Sequence, residues 1–290
     1  MTTNTAQSEY TSIRVEHESP ISWIVLNRPE KANALSNELL EEFSAALEWL
    51  RDHGQPVIAI RGEGKGFSAG YDLGQVAPDG AVDPIADRTR MKKNLDRYLA
   101  MWDHPKPIIA AVHGYCIAGA TQIATLTDIT IVAEDAKIGI VTIPVGAGYV
   151  SPVWSTLIGP KRAKEIAFVP GNSIDGITAV EWGWANHAVP AEELLDRVRS
   201  LAERIALTPS NLLTIKKVAI NTAAEAMGIR QALATLADFD ALAHTTTEVA
   251  GIKKRIANEG LKPVIESYRV PPTTDLSTGY RTDRRIKASQ

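Results

Sequence analysis

The sequence predicts an α/β fold with a helical C-terminal region, and three observations carry that expectation. Short apolar, β-rich runs alternate with helical periodicity over the first part of the chain. Clusters of glycine and small residues follow several of these runs and punctuate them as tight turns. After about residue 150 the strand-like runs become few and helical periodicity dominates, as in "AEELLDRVRSLAERIAL" and "LLTIKKVAINTAAEAMGIRQALATLADFDALAHT". The organisation expected is a core over 12–190, a helical part over 191–268, and a Pro-, Thr- and charge-rich tail over 269–290 that reads as disordered.

The elements follow in order. Residues 1–10 read as a disordered lead. "SIRVEHESPISWIVLN" (12–27) alternates and turns like a hairpin, with Ser19-Pro20 near its tip. Ser36 is placed to cap a helix whose apolar positions Leu39, Leu40, Phe43, Leu47 and Leu50 recur at helical spacing. "PVIAIRG" (56–62) is a short buried strand, and "GEGKGFSAGYDLG" is a Gly-rich loop after it. The Pro/Gly/Asp stretch 77–84 reads as mobile. A helix is expected over about 85–102, a strand in "KPIIAAVHG", a short helix over 117–126, and two strands in "DITIVAEDAKIGI". No repeat of fixed period is present.

The totals bound the function classes. The chain has 290 residues, 44% hydrophobic and 22% charged, which is ordinary for a globular protein with a sizeable core. A net charge of −3 favours neither nucleic acid nor an anionic membrane as partner. The single cysteine, Cys116, cannot form an internal disulfide or a multi-Cys zinc site, and fits a reducing cytoplasm. No apolar run reaches the length of a membrane span, and the polar start "MTTNTAQSEYTS" does not read as a signal peptide. The six histidines show no H-x-x-x-H spacing, so no metal is expected.

Two stretches carry chemistry together: "KGFSAGYDL" (65–73) and "HGYCIAGA" (113–120). Each follows a strand and puts glycine beside small residues just before a helix. Helix N-termini present N–H groups without intrahelical partners and the positive end of a dipole. Two such ends facing one point form an oxyanion hole, and removing one donor from such a site typically costs about 3 kcal/mol of barrier. Neither loop matches the P-loop or the dinucleotide fingerprint, and each alone is equally an ordinary Gly-rich turn.

The chain resembles the crotonase superfamily, the enoyl-CoA hydratase/isomerase fold. The stretches that match, in family order, are "IVLNRPEKANALS" (24–36), "GEGKGFSAGYDL" (62–73), "KPIIAAVHGYCIAGATQIATLTDITIVAEDAKIG" (106–139) and "IGPKRAKEIAFVPGNSIDGITAVEWGWANHAVP" (158–190). The resemblance covers about residues 12–257. It implies a spiral of ββα units with a helical C-terminal oligomerisation region, in a homotrimer or a dimer of trimers. It implies an acyl-coenzyme A thioester as ligand, with no metal or redox cofactor. The thioester oxygen would lie between the backbone N–H groups of Tyr71 and Gly119. Ser68, Ala69, Tyr71, Asp72, Leu73 and Gly74 would line the pantetheine and acyl channel, and Phe239 would close the acyl pocket, from this subunit or a neighbour.

The family pattern then breaks. Hydratases that this chain resembles use two glutamates, one opening the helix after the second oxyanion glycine and one in the loop after "EDAKIG". Here those positions are Gln122 and, in the simplest alignment, Thr142. A shift in alignment does not supply an acid, because "AKIGIVTIPVGAGYVSPVWSTLIGPKRAK", between Asp135 and Glu165, contains none. A carboxyl group can exchange protons near the working pH, whereas an amide only donates and accepts hydrogen bonds. Losing a general acid or base typically costs about 10²- to 10⁴-fold. Tyr149 falls where the similar methylmalonyl-CoA decarboxylases carry a pocket tyrosine, and is equally placed to pack at the loop surface.

Other residues have plainer expectations. Asp72 reads as a cap for the next helix rather than a base. Asp128 fixes a turn, His113 is structural, Cys116 is a small buried hydrophobe, and Trp182 and Trp184 are packing residues. The expected function is acyl-CoA thioester processing through a stabilised enolate, by decarboxylation or C–C cleavage rather than efficient hydration. The alternative is a non-catalytic acyl-CoA-binding protein on the same fold.

Overall fold

The computed structural model of the protein describes residues 10–73, 83–140, 143–146, 148 and 153–268. The chain opens with the antiparallel hairpin β1 (Ile13–Glu18) and β2 (Ile21–Leu26). Helix α1 (Asn37–Asp52) starts where the Ser36 side chain accepts from the Leu39 N–H, as the sequence predicts, and buries Leu39, Leu40, Phe43, Leu47 and Leu50. Then come β3 (Val57–Gly62), α2 (Pro84–Trp102), β4 (Ile108–Val112), β5 (Tyr115–Ile117), α3 (Gly119–Leu126), β6 (Ile129–Ala133) and β7 (Lys137–Gly139). The rest is helical apart from one strand: α4 (Trp154–Ile158), α5 (Pro160–Phe168), α6 (Gly176–Trp182), β8 (His187–Val189), α7 (Leu194–Ala206), α8 (Ser210–Ala226), α9 (Ile229–His244), α10 (Thr247–Glu259) and α11 (Leu261–Ser267).

Six strands form one sheet in the order β1-β2-β3-β4-β6-β8, and β5 pairs with β7 in a second, two-stranded sheet. Every pairing after the hairpin is parallel, so each return crosses over through a helix or loop. β3 and β4 are apolar almost throughout because they are buried on both faces. One face meets α1, α2 and α3, and the other meets α7 through Leu194, Val198 and Ala202. Successive β–loop–β units therefore bring their connecting loops to one end, and the two Gly-rich loops leave β3 and β4, which are neighbours in the sheet.

Two details differ from the sequence reading. The segment expected to be helical from residue 117 begins as β5, and α3 starts only at Gly119. Asp83, inside the stretch read as mobile, caps α2 by accepting from the Ile85 and Ala86 N–H groups, and Pro84 is its first residue. Of the apolar positions on the C-terminal helices, Leu233 is fully buried in the chain's own core, whereas Leu212, Ile215, Val218 and Phe239 are exposed. The tail 269–290 and residues 1–9 lie outside the described residues.

A polar clamp fixes the helical region to the core. Lys217 on α8 donates to the Met101 and Lys106 carbonyls and to Asp128 Oδ2 (2.9, 3.2 and 2.8 Å). Asp128 also accepts from the Ile108 N–H at 2.7 Å, which is the turn role expected of it. Burial raises the Asp128 carboxyl and lowers the Lys217 ammonium from their ordinary ranges. Beside them His104 is 1% exposed. Its Nδ1 accepts from the Lys106 N–H at 3.1 Å, so the neutral ring carries its proton on Nε2 and donates to the Leu47 carbonyl at 3.2 Å. Burial, with the nearby Lys217 charge, lowers its pKa from 6.5 to about 4.

That depression sets a pH dependence. Below pH 6.5 the unfolded chain takes up a proton that the folded ring refuses until about pH 4, so stability is fully present above 6.5 and is lost as pH falls through that window. The expected loss from this one group is about 3 kcal/mol. Urea denaturation at several pH values should show a shallower acid limb in His104→Asn than in the wild type.

Candidate active site

The two Gly-rich loops are hydrogen-bonded to each other like short parallel strands. Phe67 N donates to the His113 carbonyl (3.0 Å), Ser68 N to Tyr115 (3.1 Å), and Ile117 N to Ser68 (3.1 Å). Gly70, at φ +90°, lies so close to the second loop that a Cβ there would sit 2.7 Å from the Ile117 carbonyl oxygen and 3.0 Å from Gly119 N. Only glycine permits that approach. Ala118, at φ 50° and ψ −121°, occupies a left-handed region that costs a non-glycine residue about 1–3 kcal/mol. It is held there by its N–H bond to the Gly139 carbonyl on β7 (2.8 Å). The strained turn lets β5 break directly into α3, whose first residue is Gly119.

Tyr71 is held from the other side. The Leu35 N–H donates to the Gly70 carbonyl (2.8 Å) and Asp72 N donates to the Leu35 carbonyl (3.2 Å). Alternation along an extended segment turns the Tyr71 N–H away from Leu35. Its ring covers Gly119: a Cβ at 119 would lie 2.7 Å from Tyr71 Cε2 and 2.8 Å from Cδ2. The ring's hydroxyl donates to Gln122 Oε1 at 2.8 Å and lies 3.0 Å from the Tyr98 hydroxyl. Gln122 is 4% exposed and Tyr98 0%. The structure thus joins three of the expected site residues, Tyr71, Gly119 and Gln122, and adds Tyr98 from α2. Tyr98 follows Met91 and Leu95 on the buried face of α2; a phenol on a stripe that otherwise reads as core was the available signal.

The remaining expectations divide. The Ser68 side chain is fully buried: it donates to the Asn33 carbonyl (2.7 Å) and accepts from the Gly70 N–H (3.1 Å). Its hydroxyl shapes the loop. Ala69 is exposed, with its N–H on the Ala32 carbonyl (3.0 Å). The Asp72 carboxylate meets Arg28 Nη2 at 3.0 Å, and Arg28 also donates to the Ala34 carbonyl. The pair ties the first loop to the segment after β2, a contact the sequence reading missed because the residues lie 44 positions apart. Leu73 packs against the cluster of Ile143, Ile252 and Val264. Phe239 stands 55% exposed on α9, so nothing among the described residues closes over it. Gly74, Thr142 and Tyr149 lie outside the described residues.

Cys116 is fully buried, and burial pushes its thiol up, away from the reactive thiolate. The His113 ring meets the Gly64 carbonyl at 2.9 Å. The indole N–H groups of Trp154 and Trp184 both reach Thr125 Oγ1 (2.9 and 3.1 Å), so Trp184 is a packing residue as expected. No group of three or more potential metal ligands occurs among the described residues, and no described helix is long and apolar enough to cross a membrane.

A second polar cluster holds the loop that follows β7. Asp240 Oδ1 accepts from the Gly148 N–H at 2.9 Å. Asp87 on α2 accepts from His244 Nδ1 at 2.7 Å and from Arg90. Burial alone would raise the Asp87 carboxyl, but the hydrogen bonds from His244 and Arg90 and the nearby Arg90 charge outweigh it and hold it below the usual range. Gly146 fits between Asp240 and His244, where a Cβ would come within 2.7 and 2.9 Å of them. Helices α2 and α9 thereby hold Gly146 and Gly148.

The comparisons with known proteins agree with this architecture. The model of the enoyl-CoA hydratase/isomerase family matches residues 16–265. The mitochondrial Delta(3,5)-Delta(2,4)-dienoyl-CoA isomerase of Dictyostelium discoideum is 30% identical over 232 residues, covering 74% of this chain and 78% of that protein. The hydroxycinnamoyl-CoA hydratase-lyase of Pseudomonas fluorescens is 26% identical over 275 residues, covering 92% and 99%. A Novosphingobium aromaticivorans protein provisionally assigned as an enoyl-CoA hydratase/isomerase has a structure that superposes with a TM-score of 0.88. It is 45% identical, covering 93% of this chain and 99% of that one. The chain belongs to the enoyl-CoA hydratase/isomerase family, the acyl-CoA-processing enzymes of the crotonase superfamily.

The contact between Tyr71 and Gly119 is directly testable. Gly119→Ala should destabilise the protein by about 1–3 kcal/mol through the clash with the ring. In a Tyr71→Ala background the same change should cost much less, and a double-mutant cycle in urea measures the difference.

Proposed function

We propose that the protein processes an acyl-CoA thioester by stabilising its enolate with the backbone N–H groups of Tyr71 and Gly119, and that it is not an efficient hydratase. The observation that carries this is the Gln122 side chain. At the position where the similar hydratases place a carboxylate there is an amide, held by the Tyr71 hydroxyl and buried beside Gly119. An amide cannot take a proton from water or return one to carbon. Reactions that reach the enolate without proton abstraction suit the site. In decarboxylation the bond between the α-carbon and a carboxylate breaks, CO₂ departs, and the electron pair moves into the thioester. The resulting oxyanion lies between the two N–H groups until a proton from water reaches the α-carbon. In a retro-Claisen cleavage water adds to a β-carbonyl, losing a proton to solvent, the bond between the α- and β-carbons breaks, a carboxylic acid departs, and the electron pair forms the same kind of enolate.

A non-catalytic acyl-CoA binder on this fold remains the second reading. The buried polar group at Gln122 favours an enzyme, because a simple lipid binder has no use for an amide and two phenols beside the thioester site. No metal or redox group is needed for the proposed chemistry. We place the protein in the cytoplasm, as the sequence suggested, with no nucleic-acid or membrane partner.

The proposed working form is a homotrimer or a dimer of trimers. Ile215, Val218 and Ile220 on α8, and Phe239 and Leu242 on α9, are all exposed in the single chain. A run of apolar side chains of this size calls for a covering surface, and assembly would let Phe239 approach a neighbour's acyl pocket. Light scattering at micromolar concentration should return three or six times the chain mass; a monomer would contradict it.

The functional reading makes a paired prediction. The wild type should bind butyryl-CoA, yet hydrate crotonyl-CoA about 10²-fold or more below an ordinary hydratase. Gln122→Glu together with Thr142→Glu should raise hydration more than the two single changes combined. Robust crotonyl-CoA hydration by the wild type would overturn the reading.

A further inference from the structure

The charged cluster between α2 and α9 grips a backbone segment as well as its own members. Asp87 and Asp240 are each 6% exposed. Asp240 and His244 stand four residues apart on α9 and share a face. An ionised carboxylate only accepts, so His244 Nδ1 donates to Asp87 Oδ2 at 2.7 Å, and Arg90 donates to the other oxygen. Asp240 Oδ1 is 4.0 Å from His244 Nε2, beyond hydrogen-bond reach, and accepts from the Gly148 N–H at 2.9 Å. Gly146 enters the gap between them, where a Cβ would lie 2.7 Å from Asp240 Oδ1 and 2.9 Å from His244 Nε2. Both groups are tied down, one by Gly148 and the other by Asp87. The same segment has an apolar anchor. Ile143 is buried with Ile252 of α10 and Val264 of α11, and Val145 and Leu73 pack against that cluster. Val145 N donates to the Ile143 carbonyl at 2.9 Å, so only a short turn separates the apolar anchor from the polar one. Leu73 lies two residues past Tyr71, and the Leu35 bonds to Gly70 and Asp72 fix the same loop from its other side.

We propose that Asp240, braced by His244 and Asp87, is a positioning residue for the thioester site: it fixes the segment that carries Ile143 and, through the packing of Leu73, the placement of the Tyr71 N–H donor. This rests on the acyl-CoA reading above and adds to it a control point on helices α2 and α9. Apolar packing would join those helices at least as well as buried charges do, because taking carboxylates out of water is costly. What the cluster adds is direction, a charge-assisted bond from one carboxylate to one backbone N–H. Donors that stabilise a developing charge act only when they are held in place beforehand, and a segment packed against the end of the Tyr71 loop bears on that placement.

The test uses the full-length protein and butyryl-CoA carrying ¹³C at the thioester carbonyl, with affinity read by calorimetry and the bound carbonyl band by infrared spectroscopy, well below the melting temperature of each variant. Asp240→Ala should weaken binding by about 3- to 10-fold, the size of one neutral hydrogen bond, and move the band part of the way toward its frequency in water. Asp240→Asn keeps an oxygen for the Gly148 N–H and should hold affinity within about twofold, with the band in place; this rescue separates positioning from mere stability. Gly146→Ala displaces the segment from its own side, leaves both helices as they are, and should reproduce the effect of Asp240→Ala; it decides the question alone if Asp240→Ala does not fold. In a Leu73→Ala background Asp240→Ala should add less than about twofold. Wild-type affinity and band position in Gly146→Ala, a loss in Asp240→Asn equal to that in Asp240→Ala, or a full additional loss in the Leu73→Ala background would each overturn the positioning role and leave the acyl-CoA reading standing. If the wild type binds no butyryl-CoA, the acyl-CoA reading falls and the positioning role with it.

Discussion

The close approach of two backbone loops at Gly70 and Gly119 is the constraint on which the site depends. The loops leave adjacent parallel strands, zip together through the 67–68 and 113–117 hydrogen bonds, and meet where neither can carry a Cβ. Gly70 admits the turn that starts α3. Gly119 admits the Tyr71 ring. A side chain at either place would part the loops and move both N–H groups together. The strain at Ala118 belongs to the same device, because the abrupt change from β5 to α3 leaves the first N–H of the helix at the junction. The rest of the fold serves this contact: the parallel sheet sets the spacing of the loops, and the clamp of Lys217, Asp128 and the Met101 and Lys106 carbonyls holds the helical region against the strands that carry them.

Beside Gly119 the described side chains of Tyr71, Tyr98 and Gln122 are joined by hydrogen bonds. Tyr71 links the other two, donating to Gln122 Oε1 and lying 3.0 Å from the Tyr98 hydroxyl. The carboxylates that are near do other work. Asp72 is committed to Arg28, and Asp87 and Asp240 anchor the loop at 146–148 with His244. A site with a rigid pair of backbone donors and neutral polar side chains is suited to receiving charge rather than to moving protons.

Much of the fold was legible in the sequence because the signals were local. Alternation in 12–27, the Ser36 cap and the apolar spacing of α1 each need only a few neighbouring residues, and the structure has all three. The two Gly-rich loops were legible as a pair for the same reason. Less local features were not. The start of α3 was placed two residues early because a strained turn at Ala118 has no propensity signature. The Ser68 hydroxyl bonds the Gly70 N–H and the carbonyl of Asn33, a partner 35 residues away that the local sequence does not show. Tyr98 read as core because its helix face is core, and only the fold shows that its hydroxyl meets Tyr71. Arg28 with Asp72, and Asp87 with His244, are pairs formed by topology across 44 and 157 positions.

The central claim is that a thioester carbonyl is polarised between the Tyr71 and Gly119 N–H groups. Isotope-edited infrared spectroscopy measures it directly, with butyryl-CoA carrying ¹³C at the thioester carbonyl bound to the wild-type protein. Two hydrogen bonds from preorganised donors should lower the carbonyl stretching frequency below its value in water, and Gly119→Pro, which removes one donor, should return it most of the way. A bound thioester whose carbonyl absorbs at the aqueous frequency would contradict the account.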